Sequence, residues 1–140
     1  LKESRAEALR WLNQAENDLS YAALGISGGF YAQVCFQCQQ IAEKALKSIH
    51  YGKLKKRIVF GHSIVELAKE LDFEKERIIE CGILDQYYIP TRYPNGLPGT
   101  VPYQVYTHRQ AKEAYQTAEK IIKIAKDLLP KGDIQGKANG

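Results

Sequence analysis

Cysteine is scarce in this 140-residue sequence: it occurs three times, an odd number. A disulfide framework is therefore not expected, and a reducing cytoplasm is the expected setting. No apolar run approaches the roughly 18–20 residues of a membrane span, which argues against a transmembrane helix. The first residues read as a charged helix start, so no signal peptide is expected. Gly25, Gly28 and Gly29 match neither the dinucleotide fingerprint nor the P-loop, which leaves no glycine-rich phosphate cradle. Alternating strand patterns and internal repeats are absent as well.

What remains is ordinary for a globular protein, with 44% hydrophobic and 26% charged residues. The length fits one domain able to bury a core without disulfides or metal. Twenty Lys+Arg against sixteen Asp+Glu give a formal charge of +4, which permits an anionic partner without demanding one.

Helical periodicity dominates the chain. Ser4-Arg5-Ala6-Glu7 has the form of a capping box, followed by Leu9, Leu12, Ala15, Leu19, Ala22, Ala23 and Ile26 at three- and four-residue steps. A second helix is expected from about Phe30 to about Tyr51, with Val34, Cys38, Ile41, Ala45 and Ile49 inward. Its small residues Cys38, Ala42 and Ala45 invite close approach of a neighbouring helix. A basic connection, Gly52 to Gly61, leads to a second capping-box pattern at Ser63 to Glu66 and a short helix to about Leu71. Asp72 is the expected cap of the next helix, which ends near Tyr88. Four prolines (Pro90, Pro94, Pro98 and Pro102) make the stretch from Ile89 to Tyr106 a long loop, and such loops are commonly functional. Thr107 to Gln110 restarts the helix, and Ala111, Ala114, Ala118, Ile121, Ile122, Ala125, Leu128 and Leu129 form its apolar face until Pro130 stops it. The expected fold class is all-α, an antiparallel, up-and-down bundle of four to five helices over residues 4–129, with a disordered Gly- and Lys-rich tail at 130–140.

Five groups of residues carry potential chemistry. Cys35-Phe36-Gln37-Cys38 is a C-x-x-C, but it lies inside a helix rather than at its N-terminus, and only Cys81 and a histidine remain to complete a four-ligand zinc site, so two packing cysteines are expected. Arg57 and His62 could act as phosphate stabiliser and general base; otherwise Arg57 ends a solvated run and His62 helps cap a helix. Lys53, Lys55, Lys56 and Arg57 form a basic patch of the kind that engages phosphates or is simply solvated. In Tyr87 to Pro94, aromatic faces offer stacking for a base, and Arg92 offers a forked donor to a phosphate or carboxylate; alternatively the tyrosines fasten the loop and Arg92 pairs with an acid. Gln40, Lys44 and Lys47 share one face of the second helix and could form a polar rim beside Arg92, although Glu43 and Lys47 also stand at ion-pair spacing. Asp18 interrupts the apolar stripe of the first helix and is expected to pair with Lys44.

The order of these pieces resembles the HEPN family, named for higher eukaryotes and prokaryotes. The resemblance rests on Trp11 to Leu19, Gln39 to Lys47, His62 to Leu67, Arg92-Tyr93-Pro94 and the alanine-rich last helix, and it covers about Ser4 to Leu129. It implies an antiparallel helical bundle, commonly a homodimer, in a bacterium or archaeon. It also implies pairing with a minimal nucleotidyltransferase in an arrangement like a toxin–antitoxin system. Many members are metal-independent endoribonucleases with an R-x4–6-H motif at the start of a late helix. In this sequence Arg57 and His62 have that spacing, but at the third helix. Near the last helix fifteen residues separate Arg92 from His108, so that pair needs the long loop to fold back. The tyrosine found two residues after the motif histidine in some members is Ile64 or Gln110 here. The expectation is a HEPN module without a cofactor or metal that binds a nucleotide or RNA through Gln40, Lys44, Lys47, Tyr88, Arg92 and Tyr93. The alternatives are an endoribonuclease using Arg57 and His62, or Arg92 and His108, and a purely structural scaffold.

Overall fold

Close helix packing requires small residues where two helices cross, and the first two helices meet at glycine and alanine. In the computed structural model, which describes residues 2–129, α1 spans Lys2–Gly28 and α2 spans Tyr31–Gly52. A methyl group added at Gly25 would lie 2.6 Å from Val34 Cγ2, and one at Gly52 would lie 2.9 Å from the Ala8 methyl. The end of α1 thus meets the start of α2, and the start of α1 meets the end of α2, in an antiparallel hairpin turned by Gly29 at φ +82°.

The remaining elements wrap α2. They are α3 (Ile64–Lys69), α4 (Lys75–Asp85), the one-turn α5 (Pro102–Val105) and α6 (His108–Leu128). His108 packs on Tyr31, and Leu129 reaches Gly52, so α6 runs parallel to α2. It runs antiparallel to α1, with Lys126 2.6 Å from Glu16. Glu80 of α4 faces Lys120 of α6 at 3.6 Å, and α4 supplies the upward leg between α2 and α6. The result is the all-helical up-and-down bundle expected, with no strand among the described residues.

Several local expectations are corrected. Ser4 lies inside α1 and makes no capping bond among the described residues; Glu7 instead accepts from Arg10 at 2.8 Å and from the Trp11 indole at 3.1 Å. Asp72 does not cap α4, whose N-cap is Glu74 without a side-chain bond. Ser63 does cap α3, accepting from the Glu66 amide at 3.3 Å, and Thr107 with Gln110 forms the full capping box of α6. The proline-rich stretch is more ordered than a loop, because Pro94 and Pro102 each open a short helical turn, at Pro94–Gly96 and Pro102–Val105. With the turn at Pro102, the described residues hold six α-helices instead of four or five. The tail expected from residue 130 lies outside the described residues.

The core is built from the expected faces. Val34, Cys38, Ile41, Ala45 and Ile49 of α2 are buried against Leu12, Ala15, Ala111, Ala118 and Ile121. Both cysteines of the C-x-x-C are fully buried, and burial pushes the Cys35 thiol up to about 12 and Cys38 higher still. Buried, protonated thiols of this kind serve packing.

His50 is also fully buried on α2, donating from Nε2 to the Leu67 carbonyl at 2.8 Å, while its Nδ1 has no hydrogen-bond partner among the described residues. Burial holds its pKa below the ordinary 6.5, an effect only partly offset by the Leu67 bond. Below pH 6.5 the unfolded chain therefore takes up a proton that the folded chain resists. Stability should fall as pH drops from 6.5 toward the lowered value and should be level above it. Urea midpoints measured from pH 8 to pH 5 check this, with His50→Gln expected to flatten the slope. The loss from Glu70, whose carboxyl is lowered by its Lys56 hydrogen bond, belongs to a separate window below pH 4.5.

Candidate functional site

A helix surrounded on all sides must bury some of its polar residues, and α2 buries three on one stripe. Gln39, Glu43 and Lys47, four residues apart, are 0%, 6% and 6% exposed. Burial of such groups is tolerated only with partners, and each has them. Lys47 Nζ lies 3.0 Å from Glu43 Oε2 and 5.3 Å from the centre of the Trp11 ring. Gln40 donates to Gln39 Oε1 at 2.8 Å and to Glu43 Oε1 at 3.3 Å. Gln39 donates to the His62 carbonyl at 2.7 Å and to Asp85 Oδ1 at 3.0 Å.

Asp85, the last residue of α4, seats the start of α3. Its carboxylate accepts from Ser63 Oγ (2.8 Å), the Ile64 amide (3.0 Å) and the Val65 amide (3.1 Å), where a helix N-terminus favours negative charge. His62 is thereby held just ahead of α3, and its Nδ1 lies 3.3 Å from Glu43 Oε1. A carboxylate only accepts, so Nδ1 carries the hydrogen, and a neutral ring presents its Nε2 lone pair outward. The ring is 65% exposed, on the open side of a buried acid.

Next to His62 stands an aromatic cluster. The His62 ring stacks on Tyr88 with centroids 5.6 Å apart, and Tyr88 leans on Phe36 at 6.0 Å. The Arg92 guanidinium carbon lies 4.4, 4.8 and 5.2 Å from the rings of Phe36, Tyr88 and Tyr93, and its Nε donates to the Tyr88 carbonyl at 2.9 Å. Among the described residues no carboxylate pairs with it, whereas Arg10 and Arg77 are paired with Glu7 and Glu80. Both terminal nitrogens are left to bond something else.

Tyr88, Arg92, Tyr93 and His62 are thus brought together, with Gln40 linked to them through Glu43. Lys44 pairs with Asp18, as expected, and Gln14 also donates to that carboxylate at 2.8 Å. The lysine charges on this face are therefore answered internally. Arg57 has a different neighbourhood: it lines a groove with Glu3, Glu7, Arg10 and Tyr51, and Gly61 at φ +101° turns the chain between it and His62. His108 packs edge-on against Tyr31. The buried acid Glu43 and the anchors Gln39 and Asp85 were not singled out for the site. The available signal was a Gln/Glu/Lys series at four-residue steps, Gln39, Glu43 and Lys47, lying among the apolar residues of α2. Among the described residues no group of three His, Cys, Asp or Glu side chains is arranged to hold a metal ion.

The HEPN domain model matches residues 8–128. The candidate toxin MJ1304 of Methanocaldococcus jannaschii is 28% identical over 131 residues, covering 85% of this chain and 86% of that protein. The crystal structure of TT1696 from Thermus thermophilus superimposes with a TM-score of 0.82 at 37% identity, covering 88% of this chain and 98% of that one. ST0689, an archaeal HEPN homologue, gives 0.73 at 35% identity, with 86% and 96% covered.

The Glu43–Lys47 pair makes a stability prediction. Glu43→Ala strands a buried ammonium and should cost about 3 kcal/mol. Urea unfolding should show that loss, and Glu43→Leu combined with Lys47→Met should recover most of it. A cost within a few tenths of a kcal/mol for Glu43→Ala would mean the pair is solvated.

Proposed function

The chain belongs to the HEPN family, and on that premise we propose that it is a module that grips the phosphate of a nucleotide or RNA segment with Arg92. Tyr88 and Tyr93 flank that phosphate. The observation that carries the proposal is the guanidinium held against three rings and one carbonyl with no acid beside it among the described residues. Such a cation is already oriented, and its free fork matches two phosphate oxygens. Gln40, Lys44 and Lys47 enter as the rim of this site. With the ammonium groups held by Asp18 and Glu43, their part is to shape the face and hold Glu43 in place. The family resemblance and the name of the candidate toxin MJ1304 support a toxin–antitoxin-like setting, in which this chain acts as a homodimer beside a minimal nucleotidyltransferase.

Arg92→Ala should weaken binding of mononucleotides and of a short single-stranded RNA at least tenfold, about 1.4 kcal/mol, while circular dichroism stays unchanged. Arg92→Lys, which keeps the charge and loses the fork, should fall between. Equal affinity in wild type and Arg92→Ala would remove the site.

The contact between Glu43 and His62 favours a second reading, a metal-independent endoribonuclease. His62 Nε2 would take the proton of a ribose 2′-hydroxyl, whose oxygen attacks the adjacent phosphorus. The 5′-oxygen would leave with a proton from water, giving a 2′,3′-cyclic phosphate, while Arg92 balances the charge on phosphorus. RNA incubated with wild type in EDTA should then be cut, and His62→Ala should slow cutting roughly 100-fold or more. An RNA left whole by the wild type would retire this reading and leave the binding one standing.

A further inference from the structure

Beside Phe36, the second half of α1 and the first half of α2 enclose an open groove of about 720 Å³. That volume is in the range of small-molecule sites. Gly25 forms part of the floor, where the two helices come too close for a side chain. Tyr21 and Leu24 rise from α1, and Phe30 stands at the turn; they are 65%, 71% and 58% exposed. Three large apolar side chains open to water around one concavity mark it for an occupant.

The polar groups identify that occupant's chemistry. Among the described residues the lining contains no acid, and its charged member is Arg92, at the end nearest Phe36. Gln33 and Gln37, four residues apart on α2, add two amides that both donate and accept. A ligand satisfying all three features has a flat apolar face, an edge with mixed donors and acceptors, and an anion at one end. The guanidinium, with no acid beside it, supplies the charge complementarity.

We infer that this groove is the base-binding subsite of the ligand whose phosphate Arg92 holds, with the nucleobase lying against Tyr21 and Phe30 and its edge on Gln33 and Gln37. The inference rests on the Arg92 reading. Arg92 thus lines the groove and also touches the Tyr88 ring on which His62 stacks.

The test is a calorimetric titration of the full chain with ribose 5-phosphate, the four nucleoside monophosphates and a short single-stranded RNA. Wild type is compared with Tyr21→Ala/Phe30→Ala and with Arg92→Ala. Tyr21 and Phe30 are exposed, so their removal should leave the fold intact, as circular dichroism will confirm. The double variant should lose about tenfold in affinity for at least one nucleotide, the usual scale of base stacking, with ribose 5-phosphate affinity unchanged. Arg92→Ala should weaken every probe. RNA binding that exceeds the mononucleotides and shows the same losses would assign the base to a strand; parity would assign it to a free nucleotide. Nucleotide affinity untouched by the double variant overturns the subsite alone, whereas affinity untouched by Arg92→Ala overturns the phosphate reading and, with it, the subsite as the base site of that ligand. A dimer by light scattering that the double variant converts to monomer would give the groove to a second copy of this chain and overturn the subsite.

Discussion

The side-chain amide of Gln39 holds three chain segments at one point. It is fully buried on α2, yet it donates to the backbone of His62 and to the carboxylate that caps α3 from the end of α4. An amide in that position has no water to fall back on, so the segments must stay where its bonds place them. The imidazole of His62 is fixed as a consequence: its backbone is tied to Gln39, one edge faces Glu43, and one face lies on Tyr88. The same α2 turn that builds the core therefore builds the site.

Charge is distributed unevenly around that point. Lys44 and Lys47 carry their countercharges with them, in Asp18 and Glu43, and are largely withdrawn from solvent. Arg92 is treated in the opposite way, spread over aromatic faces with no acid in reach among the described residues. A cation on rings is held by its quadrupole contacts and one carbonyl, and these leave its hydrogen-bonding fork unspent. The strap that carries Arg92 is ordered by turns that begin at proline, and Thr91 beside it is anchored by its hydroxyl to the Tyr87 carbonyl at 2.5 Å. Rigidity in that segment serves to present one side chain.

Much of this was legible in the residues. The inward faces of α2 and α6 follow apolar spacing, the small residues announce the close α1–α2 crossing, and Asp18 betrays its partner by interrupting an apolar stripe. The cluster of Tyr88, Arg92 and Tyr93 is visible as aromatics and a guanidinium among prolines. Other features were hidden for physical reasons. Periodicity sends polar residues to water, so Gln39, Glu43 and Lys47 look like a solvated face; only the packing of α1, α3 and α4 against α2 reverses that. Ser4 and Asp72 have cap chemistry at positions where helix boundaries, set by tertiary contacts, fall elsewhere. Arg57 and His62 are near in sequence, but Gly61 turns the chain, and His62 finds Glu43, nineteen residues back, instead.

The most direct test of the role given to Gln39 is the set of proton–proton contacts between the His62 and Tyr88 rings, measured by nuclear magnetic resonance in wild type and in Gln39→Met, which has similar volume and no amide. The contacts should be present in wild type and lost in the variant, while contacts within the α1–α2–α6 core persist. Ring contacts that survive in Gln39→Met would show that His62 is placed by something other than this amide.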